Sequence, residues 1–169
     1  MSAPDARPRA AAGASPDAGR APAEPRPAPA PRPSPPPAAR LDPDAIPALT
    51  PFAGTVGIRF LSADPAEVTA RMPWAPERCT VDGVLHGGAL STLCDAVAGV
   101  CAYLNLPPGA RTATAELKVH FLRPVLAGAV TAAARPLHVG PTVIVLQAEA
   151  LDDAGHRVAF ATQTQVVLR

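Results

Sequence analysis

Apolar residues in this chain follow two rhythms. Between residues 87 and 104 they recur every three or four positions, as Leu90, Leu93, Val97, Val100, Cys101 and Leu104. That spacing lays them along one stripe of a helix. The predicted helix opens on Gly87-Gly88, after His86, and is ended by Asn105-Leu106-Pro107-Pro108-Gly109. Elsewhere the rhythm is alternation or short apolar runs. Residues 55–61 and 67–72 read as two strands around the turn Ser62-Ala63-Asp64-Pro65, a hairpin. Residues 111–122, 128–138, 142–151 and 157–168 read as four more strands, with Asp152-Asp153-Ala154-Gly155 as the last turn. In the first of these four, Glu116, Lys118 and His120 fall on one face and Leu117, Val119 and Phe121 on the other. Strands joined by short turns are expected to lie side by side and antiparallel. A short helix is predicted at 45–49, and 73–82 reads as loop. The predicted class is α+β, one long helix packed on one antiparallel sheet.

Composition separates this domain from what precedes it. Thirteen of the 23 prolines fall within residues 1–43, among alanines and arginines and with no aromatic residue. Such a segment buries too little apolar surface to offset its ordering entropy. Residues 1–44 are therefore expected to be a disordered arm, and 45–169 a single domain. The net charge is +1 and Lys118 is the only lysine, so neither nucleic acid nor a membrane surface is an expected partner. The N-terminus lacks the apolar core of a secretory signal, and no stretch reaches the roughly 20 apolar residues of a membrane span. Cys79, Cys94 and Cys101 have no metal-ligand spacing. Cys94 and Cys101, seven apart on the helix, are expected to be core residues in a reducing, cytoplasmic setting.

The chemistry concentrates in the long helix. Its first N–H groups have no internal partner and sit at the positive end of the macrodipole. Gly87 and Gly88 leave those donors uncovered by side chains. Such a mouth can hold a carbonyl oxygen that gains negative charge, with His86 beside it. Asp95 stands eight residues on, flanked on its face by Gly88, Ser91, Ala98, Gly99 and Ala102. A lone carboxylate among small residues suits the close approach of another backbone. Eight residues span about 12 Å of helix, too far for Gly87 and Asp95 of one chain to serve one reacting carbon. If both act, Asp95 meets the Gly87 of a second copy, and two-fold symmetry generates two shared sites.

The stretch Gly83-x-x-His86-Gly87-Gly88 followed by Asp95 resembles the hotdog-fold acyl-CoA thioesterases of the phenylacetate-pathway, or PaaI-like, group. The resemblance extends to the hairpin at 60–73, to Glu116-Leu117-Lys118-Val119-His120-Phe121-Leu122-Arg123-Pro124 and to the hairpin at 152–159. It implies a hotdog fold, a long helix wrapped by a curved antiparallel sheet. It also implies thioester hydrolysis without a cofactor, CoA entering only as part of the substrate, and a homodimer that can pair again into a tetramer. By the same resemblance the Gly87 N–H polarises the thioester carbonyl, and Asp95 of the partner copy is nucleophile or general base. His86 supports the carbonyl end, and Thr114 helps hold the attacking water. Thr80 stands where many members carry Asn; it can donate one hydrogen bond but lacks the amide's donor–acceptor pair. Gly88 and Gly99 are expected along the substrate, with Val100 and Tyr103 bordering an acyl pocket for an aryl or medium-chain group. Arg111, Arg123 and Arg135 are candidates for the CoA phosphates.

Two other functions fit parts of this pattern. A non-catalytic acyl-ligand-binding protein of the same fold is compatible with Thr80. A hydratase or dehydratase would carry an Asp-x4-His pair or a His-Phe-Pro segment. Here Asp82 and His86 are separated by three residues, and no His-Phe-Pro occurs.

Overall fold

The computed structural model describes residues 40–169; the arm expected over 1–44 lies outside them apart from its last five residues. Those five already make contacts. Arg40 is ion-paired with Asp64 at 2.7 Å, Leu41 N–H donates to Ala63 O, and Asp42 caps a 3-10 turn at Pro43–Ala45. Two short helices follow, α1 (Ile46–Leu49) and α2 (Pro51–Thr55). The strand expected from residue 55 begins later. Pro51 fits the first turn of a helix, and Thr55 ends α2, so strand β1 is Arg59–Asp64.

The remaining elements are β2 (Glu67–Pro73), the long helix α3 (Gly87–Leu104), β3 (Arg111–Phe121), β4 (Ala129–Val139), β5 (Val143–Asp152) and β6 (Arg157–Leu168). The six strands form one antiparallel sheet in the order β1-β2-β4-β5-β6-β3. This corrects the expectation that β3 lies beside β4. β3 is an edge strand paired only with β6, and β4 pairs instead with β2, which precedes α3 in the chain. The reason is α3 itself. It lies across the sheet and touches all six strands, so the chain leaving it starts at the opposite edge from β1.

The helix has the predicted stripe. Leu90, Leu93, Val97, Val100, Cys101 and Leu104 are all buried, packed with Val68, Met72, Val130, Ile144 and Leu146 of the sheet. By length and composition α3 is also apolar enough to cross a membrane, but its apolar face is already covered by strands.

β3 carries a detail that decides the site. A bulge between Thr114 and Glu116 leaves Ala115 without a partner on β6. A bulge shifts the alternation of side chains by one position. Thr112 and Thr114, before it, therefore share a face with Leu117 and Val119, after it. The first pair reaches the polar groups beside Asp95, and the second packs on the core. Strict alternation through 111–122 would place the two pairs on opposite faces.

Candidate active site

The mouth of α3 is shaped by the loop before it. His86 N–H donates to Arg78 O at 2.9 Å and Thr80 N–H to Val84 O at 2.8 Å, so the loop closes on itself. Asp82 and Gly83 make the turn with φ of 60° and 68°. Gly adopts that region freely and Asp more readily than most residues. Trp74 Nε1 donates to Gly83 O at 2.9 Å and holds the turn against the domain.

His86 is the N-cap residue. Its Nδ1 accepts from the Gly88 N–H at 2.8 Å, and its carbonyl oxygen accepts from Ala89 and Leu90. The two glycines thus have different duties, which corrects the expectation that both donors stand open. The Gly88 donor is occupied by the imidazole, and a Cβ at Gly88 would lie 2.8 Å from His86 Nδ1. Among the described residues the Gly87 N–H has no partner. A Cβ at Gly87 would lie 3.1 Å from Phe121 Cζ, so glycine admits the aromatic ring of β3 over the helix mouth. With Nδ1 accepting, the ring proton of neutral His86 resides on Nε2, which is left to donate outward.

A cavity of about 380 Å³ opens here, lined by Thr80, Gly87, Leu90, Phe121 and Arg123 among others. Thr80 borders this cavity, and its hydroxyl makes no hydrogen bond among the described residues. Of the three candidate arginines only Arg123 lines this cavity. Arg135 is ion-paired with Glu67, and Arg111 stands at the far end of β3.

Asp95 lines a second cavity of about 300 Å³, with Leu49, Gly99, Val100, Tyr103 and Thr114. The two cavities have no lining residue in common. Within one chain Gly87 and Asp95 are therefore not brought together, in keeping with the helical rise between them. The small-residue face around Asp95 is divided. Ala98 and Ala102 are fully buried inside this chain, whereas Gly88, Ser91, Asp95 and Gly99 retain exposure.

Four residues around Asp95 form a polar cluster. Gln163 Nε2 donates to Asp95 Oδ1, and Thr114 Oγ1 donates to the same oxygen at 3.4 Å. Gln165 Nε2 donates to Thr114 Oγ1 at 2.8 Å and to Gln163 Oε1 at 2.9 Å, and Thr112 Oγ1 donates to Gln165 Oε1 at 2.9 Å. Thr114 was legible in the sequence; Thr112, Gln163 and Gln165 were not. The available signal was two amides at alternate positions of β6, in the same row as Ala159 and Ala161. That row faces the helix, and the glutamines are 1% and 2% exposed.

Other chemistry near Asp95 is weak. Burial pushes the Cys94 thiol up to about 12, with a smaller push from the Asp95 charge. Burial does the same to Cys101, also to about 12. Both remain thiols at neutral pH and are core residues, not nucleophiles. Among the described residues, no group of His, Cys, Asp and Glu is arranged to hold a metal ion.

Residues 82–159 match the family pattern described as Thioesterase superfamily. A protein of Pseudomonas aeruginosa named as an esterase is 32% identical over 67% of this chain and 79% of its own length. The solved structure of a mutant of that protein, there named a thioesterase, has a TM-score of 0.72 at 29% identity, covering 76% of this chain and 94% of that one. The 1,4-dihydroxy-2-naphthoyl-CoA hydrolase of Escherichia coli is 28% identical over 68% of this chain and 85% of its own length. The E. coli PaaI protein from the phenylacetic acid degradation operon shares the fold, with a TM-score of 0.68 at 23% identity, covering 75% of this chain and 90% of that one.

Proposed function

Because this chain belongs to the thioesterase superfamily, with its hotdog fold, and is a thioester hydrolase, we propose that its substrate is an aryl- or medium-chain acyl-CoA and that two copies build each site. The observation that carries the shared site is the separation of the open Gly87 donor and the Asp95 carboxylate into different cavities of one chain. A thioester carbonyl held at the helix mouth of one copy receives its nucleophile or base from the other.

In this reading the Gly87 N–H, at the positive end of α3, stabilises the oxygen that gains charge as the carbonyl carbon becomes tetrahedral. His86, fixed by its cap, turns Nε2–H toward the same end of the substrate. Asp95 takes the proton of an attacking water or attacks directly, and Thr114 helps hold the water. Thr80 and Gly88 border the substrate at the mouth, Arg123 meets a CoA phosphate, and Gly99 flanks the acyl group beside Val100 and Tyr103. CoA belongs to the substrate, and no cofactor takes part. The known CoA thioester substrate of the E. coli naphthoyl-CoA hydrolase supports the substrate class. The three free cysteines support a reducing, cytoplasmic setting.

Hydrolysis of a panel of aryl- and alkyl-CoAs, followed by thiol release, tests the substrate class; no turnover on any CoA thioester overturns it. Mixing inactive Asp95→Ala with an inactive Gly87 variant tests the shared site. Hybrid dimers hold one intact site, so about a quarter of wild-type activity returns after random reassortment of subunits. No recovery from subunits shown to exchange refutes the two-copy site.

A further inference from the structure

Asp95 is held by the far end of the chain rather than by its own helix. Both of its hydrogen bonds, from Gln163 and Thr114, meet Oδ1. Among the described residues Oδ2 has no partner. The direction of the whole cluster follows from this one carboxylate. An ionised carboxylate only accepts hydrogen bonds, whereas an amide has one donating and one accepting end. Gln163 must therefore turn its NH2 group to Asp95, which points its Oε1 at Gln165. Gln165 must answer with its own NH2 group, which leaves its Oε1 to accept from the Thr112 hydroxyl, whose single proton it shares with Val166 O. The second Gln165 N–H fills a lone pair of Thr114, so the Thr114 hydroxyl proton is directed to Asp95. Each link fixes the orientation of the next, and burial at 1% and 2% exposure keeps water from replacing either amide.

We propose that Gln163 and Gln165 are positioning residues that anchor Asp95 through Oδ1 and leave Oδ2 as its reacting oxygen. The inference rests on the reading of Asp95 as base or nucleophile. As a base, Oδ2 takes one proton from water while the water oxygen bonds to the thioester carbon. The C–S bond then breaks, and the proton passes to the leaving thiolate, giving acid and thiol. As a nucleophile, Oδ2 itself bonds to the carbonyl carbon as the thiolate leaves. Water then cleaves the resulting anhydride, delivers a proton to the thiolate and frees the carboxylate. In both courses an Asp95 freed from its anchor turns its unpaired oxygen away from the reacting carbon, so loss of the amide anchor lowers kcat and spares substrate binding.

The test compares Asp95→Ala, Gln163→Met, Gln163→Glu and Gln165→Met in the full chain, with an acyl-CoA that the wild type hydrolyses. Gln163→Met keeps the side-chain length and removes the donor. It is expected to lower kcat about 10- to 100-fold with KM within about two-fold. Gln163→Glu keeps the shape but sets oxygen against the Asp95 carboxylate, and is expected to lose at least as much. Gln165→Met acts one link away and loses less, again in kcat. Circular dichroism and Tm confirm folding, and if Gln163→Met does not fold, the Gln163→Glu and Gln165→Met values decide. Full activity of Asp95→Ala overturns the reading of Asp95 itself. An inactive Asp95→Ala beside folded glutamine variants of unchanged kcat, or variants altered only in KM, overturns the positioning inference alone.

Discussion

The mouth of α3 and the face around Asp95 lie on one helix, roughly 12 Å apart, but they are held by different kinds of contact. The mouth is held mostly by local contacts. The His86 cap reaches two residues, to Gly88, and the bonds from His86, Thr80 and Trp74 span less than ten, while Leu85 N–H to Val125 O and the Phe121 ring reach in from farther along the chain. The Asp95 face is assembled from afar: Gln163 is 68 residues away, and Gln165 is 51 residues from the Thr114 it contacts. The mouth is also open, with an uncapped donor and a half-exposed aromatic ring, whereas the two glutamines that support Asp95 are buried. An electrophile's oxygen can be received by a short motif, but a carboxylate that must present one chosen oxygen requires bracing from the sheet.

Substitutions can break this contrast, and the largest expected effect is at Asp95. Asp95→Asn keeps the shape and removes the base, so kcat is expected to fall about 10²- to 10⁴-fold in steady-state hydrolysis. At the mouth, Gly87→Ala sets a methyl group against Phe121 and over the open N–H. The half-exposed ring can give by a few tenths of an ångström, so the loss is in rate, about 10²- to 10³-fold, with Tm nearly unchanged. If Asp95→Asn and Gly87→Ala instead lowered Tm in proportion to activity, both regions would be structural.

Between the two regions lies Leu93, fully buried and part of neither. Leu93→Ala is expected to cost about 2–5 kcal/mol in denaturant unfolding, and the folded fraction should retain its kcat. His86→Ala removes the cap on the Gly88 N–H and is expected to cost about 1 kcal/mol, besides its effect on rate. The smallest effect is remote from both. Asp152, at the turn before β6, accepts from the His156 backbone N–H, the His156 side chain and the Ala154 N–H, and these hold its carboxyl below the ordinary 3.8. A depressed folded value means the stabilisation is present above 3.8 and fades as pH falls through the lower folded value. The Tm difference between wild type and Asp152→Asn should therefore narrow on acidification below pH 3.8, and a widening gap would contradict this assignment.

What the sequence revealed follows the same division. Helix α3 was legible because its stripe, its glycine opening and its proline-glycine stop are written within residues 87–109. His86, Gly87, Thr80 and Asp95 were legible because they cluster around that start. The pairing of β3 with β6 was not, since hairpin reasoning joins neighbours in sequence and α3 separates β3 from the strands before it. The bulge at Ala115 was not legible either, because nothing in Thr114-Ala115-Glu116 marks a lost partner. Without the bulge, Thr114 and Leu117 fall on opposite faces by simple alternation. Gln163 and Gln165 were hidden by their type, as an amide in a strand usually faces water, and only the register with α3 shows that these two do not.

The edge position of β3 has a consequence for how the protein matures. β3 has a single neighbour in the sheet, and that neighbour is the last strand, β6. Pairings between distant segments carry a loop-closure entropy cost that their contacts must offset. Thr114, Gln163 and Gln165 therefore gather around Asp95 only when the β3–β6 seam closes, and the same seam seats the β3 strand whose Phe121 lies over the helix mouth. A chain arrested before β6 has docked lacks the braced carboxylate. If Asp95 acts as proposed, hydrolysis of thioesters requires the completed fold.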